Sequence, residues 1–63
     1  MRPEWTGEIV KQMHLYGIAQ KEIAEECHYS NAYVGMILNG IRETALGRER
    51  IEAALAKLKE VRS

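Results

Sequence analysis

Apolar residues recur along the chain in four bursts at helical spacing, with a glycine or serine at the corners between them. Trp5, Ile9, Met13 and Tyr16 stand three or four residues apart, with Val10 widening the stripe, as on one face of an amphipathic helix. Pro3 suits a first turn, where its missing N–H is no loss, and Thr6 is a second candidate cap. Gly17 then reads as a left-handed helix end and Ile18 as the apolar residue that folds back onto the last turn. A helix is expected over about 4–16. The next runs over about 20–27, with Ile23, Ala24 and Cys27 inward and Lys21, Glu22, Glu25 and Glu26 outward. Ser30 is a good N-cap for a third over about 31–38, which buries Val34, Ile37 and Leu38 and closes at Asn39-Gly40. Ile41 is expected to tuck into the core. Thr44 can cap a last helix running to about 61, whose apolar side is marked by Leu46, Ile51, Ala54, Leu55, Leu58 and Val61. Gly47 weakens its first turn by up to ~1 kcal/mol relative to alanine, so fraying or a later start near Arg48 is expected.

This pattern predicts an all-α chain of four helices, one domain over residues 1–63 with a thin core. The second and third helices meet at a tight corner, His28-Tyr29-Ser30. Two helices joined at roughly 90–120° by a three- or four-residue turn form a helix-turn-helix, whose second helix enters the DNA major groove. Ala24 matters in such a corner because a small side chain lets the helices approach.

Residues 20–40 resemble the helix-turn-helix of the Cro and phage-repressor superfamily, also called XRE-like. Gln20, Glu22, Ile23, Ala24, Ser30, Val34, Ile37, Leu38, Asn39 and Gly40 match its recurrent wording in order and spacing. The match covers about a third of the chain. Ala19 stands where the family has a capping Thr or Ser, a cap typically contributing ~1 kcal/mol. His28 stands where it has a corner glycine, and Gly35 and Met36 where many relatives carry Ser and a basic residue. The resemblance implies a small four-helix domain of the phage-repressor DNA-binding type.

On a helix that buries Val34, Ile37 and Leu38, a 100° step puts Ala32 and Met36 on the opposite side. Gly35 and Asn39 fall on one flank of that side and Tyr33 on the other. Asn31 sits at the N-terminal tip, where recognition helices of this class reach base edges. Asn can pair with adenine through two hydrogen bonds, whereas Ala32 and Met36 offer apolar contact, and the small Ala32 and Gly35 allow a close approach. The expected base contacts are Asn31, Ala32, Gly35 and Met36. By resemblance, Arg42 lies on a loop that runs beside the DNA backbone. Gln20 opens a helix whose free N–H groups favour an anion. Lys21, Tyr33 and Asn39 complete the expected phosphate contacts, which set register rather than sequence preference. The stripe of the last helix is longer than so small a core needs. Its far end could pack on the first helix or on the same helix of a second copy. Ile51, Leu55 and Leu58 are expected to face a second copy, since phage-type regulators pair two motifs on half-sites ~34 Å apart.

Composition narrows the partners. Nine basic and nine acidic residues cancel, which is awkward for a nucleic-acid binder. Residues 20–40 are themselves acidic, with Lys21 against Glu22, Glu25 and Glu26, and the positive surplus begins at Arg42. No run approaches the ~20 apolar residues of a membrane span, and no signal-peptide pattern opens the chain. A single cysteine fits a reducing cytoplasm. Cys27, His28 and His14 lack metal-ligand spacing, so no metal or cofactor is expected. The chain contains no aspartate, its few hydroxyls have capping or surface roles, and its glycines are scattered singly. An enzyme is not expected, nor a small-molecule pocket. The expectation is a sequence-specific double-stranded DNA-binding regulator, a repressor acting as a homodimer. The alternative is the same fold serving as a protein-interaction module, an antirepressor or adaptor.

Overall fold

A computed structural model describes residues 4–42 and 44–62. Among them stand four helices and no strand: α1 Glu4–Tyr16, α2 Gln20–Cys27, α3 Asn31–Leu38 and α4 Ala45–Arg62. Pro3, expected in the first turn of α1, lies outside the described residues.

The first three helices stop in the same way. After α1, Gly17 is left-handed, its N–H reaching the His14 carbonyl at 3.4 Å while that of Ile18 reaches Met13 at 2.8 Å. After α3, left-handed Gly40 donates to Ile37 at 3.1 Å and Ile41 to Met36 at 2.9 Å. Between them α2 ends on His28 at φ 62°, ψ 33°, with the Tyr29 N–H on the Ala24 carbonyl at 3.0 Å. The paired bonds satisfy carbonyls that a helix end leaves orphaned. His28 adopts this conformation against the clash of its own Cβ, a strain of roughly 1–2 kcal/mol that glycine lacks. The side chain is exposed. His28→Gly is accordingly expected to stabilise the fold by about 1 kcal/mol, raising the midpoint by roughly 4–8 °C for a domain of this size. Thermal unfolding checks it; an unchanged or lower midpoint would refute the strain.

Helix starts differ more. Ser30 Oγ accepts the Tyr33 N–H at 3.1 Å, a full cap for α3. Ala19 has no acceptor to offer α2, but Glu22 Oε2 takes the Ala19 N–H at 2.8 Å, leaving half of a capping box. Thr44 Oγ1 takes the Gly47 N–H at 2.9 Å, and α4 begins at Ala45 instead of starting late near Arg48. Gly47 is buried. A Cβ there would stand 2.6 Å from Thr44 Oγ1 and 3.0 Å from Ile37 Cδ1, so the missing side chain is what lets α4 cross α3.

The core gathers Ile9 and Met13 of α1, Ile18, then Ile23, Ala24 and Cys27 of α2, Val34, Ile37 and Leu38 of α3, and Ile51, Ala54 and Leu55 of α4. α2 packs on α3 and α4, α1 packs on α3 and α4, and α3 also meets α4. Trp5, Tyr29, Tyr33 and Leu58 close the edges. Four expectations fail here. Thr6 is no cap: it is fully buried inside α1. Ile41 does not tuck in; it is 72% exposed. Leu46 and Val61, counted on the apolar side of α4, are 54% and 77% exposed. Ile51 and Leu55, expected to face a second copy, are only 0% and 5% exposed within one chain, and Leu58 packs against the same core. A helix clasped by three others buries a wider arc than a stripe meant for one neighbour, and that arc absorbs Ile51 and Leu55. No described helix is long and apolar enough to cross a membrane.

Candidate nucleic-acid interface

The α2–α3 corner brings the first residues of both helices together. Gln20 opens α2 and Asn31 opens α3. The Gln20 amide Nε2 donates to the Asn31 carbonyl at 2.9 Å and to Asn31 Oδ1 at 3.1 Å. One amide nitrogen thus serves both acceptors of Asn31, which identifies Asn31 Oδ1 as an acceptor and leaves the Asn31 NH₂ to donate elsewhere. Gly35 lies one turn along α3 on the same flank. A Cβ on Gly35 would stand 3.1 Å from Gln20 Nε2, so the bare backbone keeps room for the bridging amide. Gln20, expected to meet phosphate, therefore spends its side-chain donors on the tip of α3.

The outer side of α3 is left open by the rest of the chain. Asn31 and Ala32 are exposed, Gly35 and Met36 half-exposed, and Asn39 exposed at the far end. Tyr33 is half-buried on the flank, its ring edge-on to Tyr29 with centroids 4.8 Å apart at 71°. Such a pair holds both rings in place. Lys21 and Arg42 are exposed at the start of α2 and just past α3, and neither forms an ion pair among the described residues.

The acidic face of α2 is turned elsewhere. Glu22 pairs with Arg62, and Glu26 with Lys57 at 2.7 Å. The pairs run in opposite order along the two helices, so α2 and α4 lie antiparallel. The Ala19 N–H holds the Glu22 carboxyl below the ordinary carboxylate range; Arg62 adds to this, against partial desolvation. The Glu26 carboxylate, by its hydrogen bond, raises the Lys57 ammonium. Other cations lie over the chain's own rings: Arg48 over Trp5 at 5.5 Å, Arg50 over Tyr29 at 5.8 Å and Lys59 over Tyr16 at 5.1 Å. Arg48 also pairs with Glu52 at 3.4 Å. Hence most of the positive surplus after Arg42 serves the fold, and Lys21 and Arg42 flank α3 as uncompensated charge.

Cys27 is buried, its thiol pushed up by desolvation and directed at the Arg50 carbonyl at 3.4 Å. Among the described residues no group of three His, Cys, Asp or Glu could hold a metal.

The Gln20–Asn31 bridge and the Arg62 contact escaped the sequence reading. Both had a signal. Gln20 and Asn31 each open a helix of one corner, and the Glu22/Glu26 spacing nearly matches that of Lys57/Arg62. No model of a known protein family, no characterised protein and no solved structure matches this chain.

Proposed function

We propose that the chain is a sequence-specific double-stranded DNA-binding regulator of the phage-repressor helix-turn-helix type, with α3 in the major groove. The observation that carries this reading is the Gln20 amide fixed on Asn31 at an open helix tip beside Gly35. It leaves Asn31 an oriented NH₂ and a lone pair on Oδ1, the combination that pairs with adenine N7 and N6. Ala32 and Met36 add apolar contact with thymine methyls. Lys21 and Arg42, with Tyr33 and Asn39 along the same edge, meet the phosphates. Two copies reading two half-sites would repress by occupying the operator, through a pairing surface that excludes the buried Ile51 and Leu55.

With Lys21 and Arg42 as the two cations each copy brings to the phosphates, a pair neutralises four of them. The log–log salt slope is then about −4, at roughly −0.9 per contact. Arg42→Ala is expected to weaken all sequences alike and flatten that slope by about 2 per pair, whereas Asn31→Ala relaxes preference at one position. Selection from a random duplex pool followed by salt titration checks both. A pool with no enriched sequence at low salt overturns the proposal. That outcome would favour the alternative, a protein-interaction module such as an antirepressor or adaptor, which the uncharged outer face of α3 and the exposed Ile41 also suit.

A further inference from the structure

Arg62 is the last residue of α4, far along the chain from α3, yet its guanidinium reaches the start of α2. It donates to the Gly17 carbonyl and, at 3.4 Å, to that of Tyr16, the last residue of α1. Its other nitrogen donates to Glu22 Oε1. Glu22 uses its second oxygen, Oε2, to hold the Ala19 N–H. Ala19 precedes Gln20, whose amide holds Asn31.

The contacts form one unbroken series from Arg62 through Glu22 and Ala19 to Gln20 and Asn31. Two features make the first link matter. Ala19 cannot cap α2 with its own side chain, so among the described residues the side-chain hydrogen bond at that end comes from Glu22. A lone glutamate has several rotamers, and a fork-shaped guanidinium anchored on two backbone carbonyls selects one of them.

We infer that Arg62 is a positioning residue: by fixing Glu22 on the Ala19 N–H it sets the first turn of α2 and thereby aims the Gln20 amide at Asn31. For its effect on DNA the inference rests on the function proposed above; for its effect on Gln20 it does not. Lys57 supplies the control. It ties α4 to α2 through Glu26, one turn further on, and touches neither Ala19 nor Gln20. A role confined to docking α4 on α2 belongs to both residues; positioning belongs to Arg62 alone.

The test uses the full chain as wild type, Arg62→Met, Arg62→Lys and Lys57→Met. Amide exchange at Ala19 and the NMR shifts of the Gln20 side-chain NH₂ are read without DNA. In Arg62→Met, Ala19 exchange is expected to quicken about tenfold and the Gln20 NH₂ pair to move toward free-amide shifts. Arg62→Lys restores Ala19 protection in part, and Lys57→Met leaves both readings at wild-type values. With a selected duplex, Arg62→Met lowers discrimination at the position Asn31 reads about fivefold, at an unchanged salt slope. Unchanged Ala19 exchange and Gln20 shifts in Arg62→Met overturn the inference, as does an equal response in Lys57→Met. Should Arg62→Met not fold, Arg62→Lys decides: Ala19 exchange faster than wild type with a Gln20 NH₂ pair moved part of the way toward free-amide shifts supports it, and wild-type values of both overturn it. If no duplex is selected, the DNA reading fails while the exchange and NH₂ measurements still decide this one.

Discussion

Ile51→Ala is expected to cost about 2–5 kcal/mol of folding stability, the range for emptying a buried branched side chain into a cavity. A chain of this length holds roughly 3–9 kcal/mol in all, so the variant would keep little of it. Ile51 is 0% exposed and sits where α4 meets the rest of the core, with Ile23, Ile37 and Val34 equally sealed. Nothing can collapse into the vacated space without moving a helix. The outcome separates two roles for the residue. In a surface between copies, the loss would appear as a concentration-dependent midpoint with a small change at high protein concentration. In the core, the midpoint falls equally at every concentration. Urea unfolding followed by Trp5 fluorescence and circular dichroism, at two concentrations a hundredfold apart, distinguishes them. Ile51→Val gives a milder version, a loss of about 0.5–1.5 kcal/mol, should the alanine variant fail to fold in water. A loss under 1 kcal/mol for alanine, or a midpoint that moves with concentration, would return Ile51 to the interface.

Gly47→Ala is expected to destabilise by about 1–3 kcal/mol, against a helix propensity that favours alanine by about 1 kcal/mol. The new methyl would meet Thr44 Oγ1 at 2.6 Å and Ile37 Cδ1 at 3.0 Å. Thr44 can yield only by leaving the Gly47 N–H, which removes the cap of α4. Ile37 is fully buried and has nowhere to go. Gly7 provides the matched comparison: it lies in α1, exposed, and a Cβ there meets nothing within 4 Å. Gly7→Ala should raise the unfolding midpoint by the ordinary propensity gain while Gly47→Ala lowers it. Shifts of the same sign in the two variants would remove the steric argument.

These residues show where reading along the chain succeeds. The bounds of α1, α2 and α3 were legible because their ends are written locally: Gly17 and Gly40 supply left-handed backbone, and Ser30 reaches its own third residue. The inward faces of α2 and α3 were legible because Ile23, Ala24, Cys27, Val34, Ile37 and Leu38 repeat at the helix period. Gly47 read as a flaw because propensity counts the residue and not what crosses it. Net charge is silent on placement for a similar reason. Glu22 and Glu26 read as an open acidic face of α2 until Lys57 and Arg62 are seen to pair with them from α4.

Periodicity and caps, which act over one or two turns, were enough to specify four helices, their ends and most of their inward residues. The relative placement of those helices settled which cation meets which carboxylate, that α4 is clasped widely enough to bury Ile51 and Leu55, and that Gln20 is aimed at Asn31. A helix sequence defines a direction around its own axis, but a neighbour's distance and angle come from residues far along the chain, as with Glu22 and Arg62, forty positions apart. Charge pairing and steric room depend on those distances, so they take their values when the helices meet.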